Sequence, residues 1–154
     1  MVRVTTHVGR RFELGAPPEA AWALLRDVAR WGPLFPHVEA VEPGPGPDVW
    51  TTRMAPLGPP GGRVRVVYAC RYAADAAARS LTWAPVEGVG NARFSGAASL
   101  APAAGGTAGT LRLDARLQVP APALLRPLVE AAIGAEMGRM TNTFLGRLDA
   151  ALGV

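Results

Sequence analysis

Residues 108–152 read AGTLRLDARLQVPAPALLRPLVEAAIGAEMGRMTNTFLGRLDAAL, and along them the apolar period changes once, from two to between three and four. Before Pro120, Leu111, Leu113, Ala115, Leu117 and Val119 alternate with Arg112, Asp114, Arg116 and Gln118. Successive side chains of a strand point to opposite sides of the pleat, so this alternation predicts a strand with one buried and one wet face. After Pro122, Leu125, Leu128, Val129, Ala132, Ile133, Met137, Met140, Phe144, Leu148 and Leu152 recur at three- and four-residue steps. That spacing predicts a long helix from about Ala123 to Leu152, with Pro127 suited to its first turn. Such a helix is about 40 Å long at roughly 1.5 Å per residue, enough to lie across an entire sheet.

Upstream, segments near 37–43, 48–57, 62–73, 79–85, 90–101 and 108–119 have the strand period. They are separated by Pro43-Gly44-Pro45-Gly46-Pro47, Gly58-Pro59-Pro60-Gly61, Ala73 to Ala78, Glu87-Gly88 and Ala101 to Gly106, stretches of turn formers too short to hold a crossover helix. The six strands are therefore expected as an antiparallel meander. Ahead of them, Val4, Thr6, Val8, Phe12 and Leu14 share one phase of a further strand. Ala16-Pro17-Pro18-Glu19 then begins a helix carrying Ala20, Trp22, Leu24, Leu25, Val28 and Ala29 and ending near Arg30. Trp31 to Pro36 reads as a short second helical turn. The expected architecture is α+β, in the order β-α-α-β6-α. A curved seven-stranded antiparallel sheet wraps around the long C-terminal helix in a single domain, residues 1–154. One helix does not fill a strongly bent sheet, so an apolar cavity is expected between them.

A chain of 154 residues buries roughly 70% of its unfolded surface and needs no staple to hold a core. The single cysteine, Cys70, forms no intramolecular bridge, and no Cys/His cluster offers a metal site. No metal or other cofactor is therefore expected. The N-terminal MVRVTTHVGRRFEL lacks an apolar leader, and no run of about 18 apolar residues occurs. Together these features predict a cytoplasmic protein with no membrane span. All 16 basic residues are arginine, and without lysine there is no Schiff base, phosphate-loop lysine or Ser-Lys dyad. Abundant Ala, Gly, Pro and Arg suggest a GC-rich bacterial genome. The formal net charge is +4, but Arg26, Arg53, Arg79, Arg112 and Arg147 are scattered, so no nucleic-acid partner is expected. Glu87-Gly88-Val89-Gly90 contains no dinucleotide fingerprint.

The segment AWALLRDVARW at 21–31, followed by Leu34-Phe35-Pro36-His37-Val38, resembles the opening of the polyketide cyclase/dehydrase and START-related superfamily. The resemblance implies a helix-grip fold whose ligands, such as lipids, quinones or aromatic polyketides, lie between the last helix and the sheet. Its members include binding proteins, transporters and cyclases, and fold alone does not separate these roles. Asp27, late in its expected helix, calls for an arginine or backbone partner.

Candidate groups follow from pattern. His37 stands at the entry to the sheet, and Glu136 borders the apolar face of the long helix with Arg53 or Arg93 as expected partner. With Tyr68 they are the candidate acids and bases, none compelling. Trp31, Phe35, Arg53, Met54, Tyr68, Tyr72, Trp83, Phe94, Ile133, Met137 and Met140 are the candidate ligand contacts, chiefly aromatic or soft apolar surface. His7 falls on the exposed phase of the first strand, and Cys70 reads as a small buried apolar residue. Three functions stay open: binding of a small hydrophobic molecule, a cyclase or dehydrase acting on one, and an interaction protein using Arg10, Arg11, Arg63 and Arg65 as a basic edge. The first is preferred because apolar material is abundant and catalytic groups are few. Monomer and homodimer remain equally open.

Overall fold

The computed structural model describes residues 1–58 and 63–153. Its elements are β1 (Val2–Leu14), α1 (Pro18–Leu25), α2 (Val28–Trp31), β2 (Val38–Pro43), β3 (Val49–Met54), β4 (Val67–Asp75), β5 (Ser80–Gly90), β6 (Ala92–Ala103), β7 (Gly106–Val119) and α3 (Arg126–Ala151). Short 3-10 turns at Gly32–Leu34 and Ala123–Leu125 precede β2 and α3. The strands form one antiparallel sheet in the order β1-β7-β6-β5-β4-β3-β2, curled into a half-barrel against the long C-terminal helix. This is the helix-grip architecture. The connection through α1 and α2 carries the chain from one edge strand to the other.

Alternation sets which face is dry. In β1, Val2, Val4, Thr6 and Val8 are buried between exposed neighbours, and in β7 Leu111, Leu113 and Ala115 are buried while Arg112 and Arg116 face water. Two glycines let aromatic rings lie flat on the sheet. Trp83 pairs across strands with Gly96, where a Cβ would stand 2.5 Å from the indole Cζ2. Phe12 pairs with Gly109, where a Cβ would stand 2.2 Å from its ring. Two more, Gly134 and Gly138, bring α3 close to β1, with Thr6 Oγ1 and the Arg10 guanidinium 3.3 and 3.2 Å from where their Cβ atoms would be. Polar residues of α3 then clamp that strand: Glu130 accepts from the Thr5 amide, Asn142 from Arg10 and Asp149 from the Gly15 amide.

Several boundaries differ from the sequence reading. The helix expected to run unbroken to Arg30 ends at Leu25, and a new one starts at Val28. Asp27 between them is extended (φ −107°, ψ 90°), and its carbonyl accepts from the Arg30 and Trp31 amides. It therefore begins a helix rather than opposing a dipole. The strand expected at 62–73 starts only at Val67; Val64 makes an isolated bridge with Leu57. The turn expected at Glu87-Gly88 lies inside β5, because a register shift between Tyr68↔Gly90 and Cys70↔Pro85 absorbs those residues as a bulge. The turn proper falls at Gly90, whose φ of 69° suits glycine. Of the expected Gly58-Pro59-Pro60-Gly61 turn, 59–61 lie outside the described residues.

Candidate functional site

The half-barrel and α3 enclose a cavity of about 980 Å³. The sheet contributes Thr52 and Met54 from β3, Tyr68 and Tyr72 from β4, Trp83 from β5, Phe94 from β6 and Leu111, Leu113 and Leu117 from β7. The helix contributes Val129, Ile133, Met137, Met140 and Phe144. Trp31, the last residue of α2, and Phe35, just after the 3-10 turn that follows, also line the cavity. Both residues pack through their rings. Trp31 lies 6.0 Å from Tyr72, 6.0 Å from Trp83 and 5.8 Å from Phe144 between ring centres, and Phe35 lies 5.2 Å from Phe144. On the far wall Tyr68 stacks on Phe94 at 4.2 Å. Trp22 is buried as Trp31 is.

Strand period explains the chemistry of the β4 wall. Residues 68, 70 and 72 share a face, so two phenols flank the Cys70 thiol. Burial pushes the Tyr68 phenol well above its ordinary value, with Cys70 adding to the effect and the Thr52 hydroxyl partly offsetting it. Burial raises Tyr72 in the same direction, and both Tyr68 and Cys70 contribute. Cys70, fully buried and donating to the Phe94 carbonyl at 3.3 Å, is pushed up to about 12 by burial, against which Tyr72 acts weakly. All three groups therefore stay protonated at neutral pH. The two phenols line the cavity and offer donors to a ligand oxygen, while Cys70, spent on the Phe94 carbonyl, does not line it; the wall holds neither a phenolate nor a thiolate nucleophile.

Charge is confined to the mouth. His37 Nε2 lies 4.0 Å from Glu136 Oε1 with both side chains nearly half exposed, and Glu136 also meets Arg139 Nη2 at 2.5 Å. His37 has a left-handed backbone (φ 67°), a conformation that costs a residue with a Cβ about 1–2 kcal/mol. Its carbonyl accepts from the Ala55 amide at 2.7 Å, which fixes the turn. Asn91 pins the opposite lip, donating to the Arg65 carbonyl and accepting from the Val67 amide. Arg63 and Gln118 complete the polar rim.

His37, Glu136 and Tyr68 all line the cavity, as do Trp31, Phe35, Met54, Tyr72, Trp83, Phe94, Ile133, Met137 and Met140. Arg53 does not. It lies on the outward phase of β3, between buried Thr52 and Met54, and faces Glu42 at 3.9 Å. Arg93 pairs with Glu87 at 2.9 Å, so neither arginine is the partner of Glu136; Arg139, one turn along the same helix, takes that place. The expected basic edge is not continuous either. Arg10 is held by Asn142 at the β1 edge, whereas Arg65 pairs with Glu39 near β2, at the other edge. His7 is exposed and bonded to Asp114. Among the described residues no three His, Cys, Asp or Glu side chains gather as a metal site, and no helix is long and apolar enough to cross a membrane. Asn91 went unnoticed in the sequence, where nothing marks a lone loop residue, and Arg63, expected in a basic edge, lines the cavity instead. Leu111, Leu113 and Leu117 were legible as a buried face but not as a cavity wall.

The sequence pattern of the family described as polyketide cyclase / dehydrase and lipid transport matches residues 1–153. No curated protein matches the chain. Among solved structures, a protein of Thermus thermophilus, TTHA0849, is similar at 23% identity and TM-score 0.63, over 96% of this chain and 98% of that one. The Zhui aromatase/cyclase of a Streptomyces species is similar at 19% identity and TM-score 0.65, over 96% and 93%. A START superfamily protein of Mycobacterium smegmatis is similar at 15% identity and TM-score 0.62, over 94% and 98%. At these identities the structural likeness speaks for the fold alone.

Proposed function

The chain belongs to the polyketide cyclase / dehydrase and lipid transport family, and from that premise we propose that residues 1–154 act as one domain that binds a small hydrophobic, ring-bearing molecule without turning it over. The observation that carries this reading is the division of the cavity. Its deep walls are aromatic and aliphatic, with phenol donors that stay protonated, while among the described residues its charged groups, Glu136, Arg139 and Arg63, stand at the mouth. A cavity of about 980 Å³ is at the upper end of the range for drug-sized ligands. Rings at 4.2–6.0 Å spacing along its walls favour a flat ligand by offset stacking, and the Tyr68 and Tyr72 hydroxyls suit a carbonyl or quinone oxygen.

A second reading rests on the His37–Glu136 pair. An imidazole 4.0 Å from a carboxylate at the mouth suits general acid–base chemistry on a bound polyketide-like chain. The word cyclase in the description of the Streptomyces protein supports the same direction. The test is native mass spectrometry of the protein from its own host, with extraction and identification of any retained molecule, followed by incubation of that molecule with the wild type and with His37→Gly. Glycine suits the left-handed backbone at 37, so this variant keeps the turn. A stoichiometric ligand recovered unchanged supports binding. Conversion by the wild type that His37→Gly loses would replace that reading with the enzymatic one.

A further inference from the structure

Among the described residues, the large apolar side chains left exposed are Met1, Leu124, Leu125 and Leu128, at 84%, 90%, 44% and 70%. They share one end of the molecule. Val2 pairs with Val119, the linker Pro120 to Pro122 follows, and Leu124 and Leu125 form the 3-10 turn from which α3 departs. Leu128, Pro120 and Ala121 also line the cavity, and Arg63 lines it from the β3–β4 side, so the patch is continuous with the mouth. The core-facing stripe of α3 is already supplied by Met137, Met140, Phe144 and Leu148, and the protruding leucines serve none of it.

Arginines predominate around them, Glu130 being the carboxylate paired there. Arg3 and Arg116, outward-facing at the end of the sheet where β1 and β7 meet the linker, have no carboxylate within 4.0 Å among the described residues, and neither has Arg63. Arg126 stands between the leucines and meets only Glu130, at 3.9 Å. We infer that this end docks on an anionic lipid bilayer, with Leu124, Leu125 and Leu128 entering the boundary between headgroups and acyl chains and the arginines meeting lipid phosphates. A convex tip of three leucines offers a few hundred Å² of apolar surface, short of the roughly 800 Å² per partner that a stable protein interface needs. A bilayer has no such threshold, because apolar tips and flanking cations each add to binding as they enter the interface. Docking in this pose turns the mouth toward the lipid, and it stands whichever molecule the cavity holds.

The test is flotation of the full chain with vesicles of phosphatidylcholine alone and with about one-third phosphatidylglycerol, at low and high salt. The wild type is expected to float with the anionic vesicles, to lose most of that binding at high salt, and to lose about tenfold in partition as the Leu124→Ser/Leu125→Ser variant. Arg3→Gln/Arg116→Gln is expected to flatten the salt dependence, and it decides the matter if the leucine variant does not fold. Absence of vesicle binding by the wild type, or equal binding by folded variants of both kinds, overturns the inference. So does a dimer on gel filtration that disappears in the leucine variant, which would make a second copy the occupant.

Discussion

Cys70 illustrates how far one side chain's environment reaches. Its thiol ionises near its ordinary 9.0 in the unfolded chain and at about 12 in the folded one. Between those values the unfolded state binds fewer protons, so the stability this group contributes is complete below pH 9 and falls as pH rises toward 12. Tyr68 and Tyr72 act with the same sign from their ordinary 10.0 upward. Urea titrations from pH 7 to above pH 10 are therefore expected to show a falling midpoint. Cys70→Ser, which keeps a donor toward the Phe94 carbonyl, should make that fall shallower; an unchanged profile would remove Cys70 from the account. Gly96 makes the opposite kind of demand. A Cβ there meets the Arg112 carbonyl at 2.4 Å as well as the Trp83 indole, and backbone does not retreat as a side chain does. Gly96→Ala is expected to cost about 1–3 kcal/mol, read as a lowered denaturation midpoint, and to displace Trp83 from the cavity wall, read in its fluorescence. Individual residues were legible where they repeat a pattern. Trp83 and Tyr72 stood out by type and phase, whereas the need for glycine at 96 depends on a cross-strand neighbour that only the register supplies. Arg53 shows the same limit from the other side: its neighbours named it a cavity residue, and its strand phase turned it outward.

Elements were readable wherever a period persisted for three turns or three pairs of residues. β7 and α3 lie where alternation and helical spacing put them, and Pro127 sits in the first turn of α3 as its missing amide predicts. Boundaries failed where apolar spacing continued through a change of backbone. Leu24, Leu25 and Val28 keep helical steps across Arg26-Asp27, so the break between α1 and α2 leaves no mark in the pattern; the amide of Asp27 bonding back to Leu24 shows the tightening that ends α1. The β5 bulge is of the same kind, since a register shift is set by the partner strand. α3 also carries three internal glycines with different reasons for being there. Gly134 and Gly138 make room for β1, but Gly146 has nothing within 4 Å of where its Cβ would be. Gly146→Ala should therefore stabilise by about 0.5–1 kcal/mol through helix propensity and reduced freedom of the unfolded chain, raising the melting temperature by a few degrees. Gly134→Ala is expected to gain less than Gly146→Ala, because Thr6 Oγ1 at 3.3 Å must give way. Equal gains at the two positions would show that the contact with β1 is loose.

At the scale of the molecule, the half-barrel and the single long helix were foreseeable because seven strands and one 40 Å helix leave a concavity that nothing else in the chain fills. What fills it was not foreseeable, since shape selection by apolar walls leaves no motif. The same geometry divides α3 into two halves with different anchors. From Met137 to Leu148 the helix buries Met137, Met140, Thr141, Phe144 and Leu148, whereas from Arg126 to Ala135 no residue is fully buried. Val129 and Ile133, the inward residues of that first half, line the cavity, and Ile133 packs only partly buried against the core. Local opening costs little where few apolar contacts are lost, so amides of 126–135 are expected to exchange with deuterium well ahead of those of 140–148. A molecule filling the cavity supplies Val129 and Ile133 with the contacts the sheet does not, and by mass action it also raises global stability as its concentration passes its Kd. Hydrogen exchange with and without N-phenyl-1-naphthylamine, an apolar aromatic probe, should therefore show slowing concentrated in 126–135, with little change at 140–148 beyond the global shift. Uniform slowing along α3 would mean the helix moves as one rigid body and the cavity stays open without it. Slowing confined to β4 and β6 would mean that the probe stacks on Tyr68 and Phe94 and never reaches the helix.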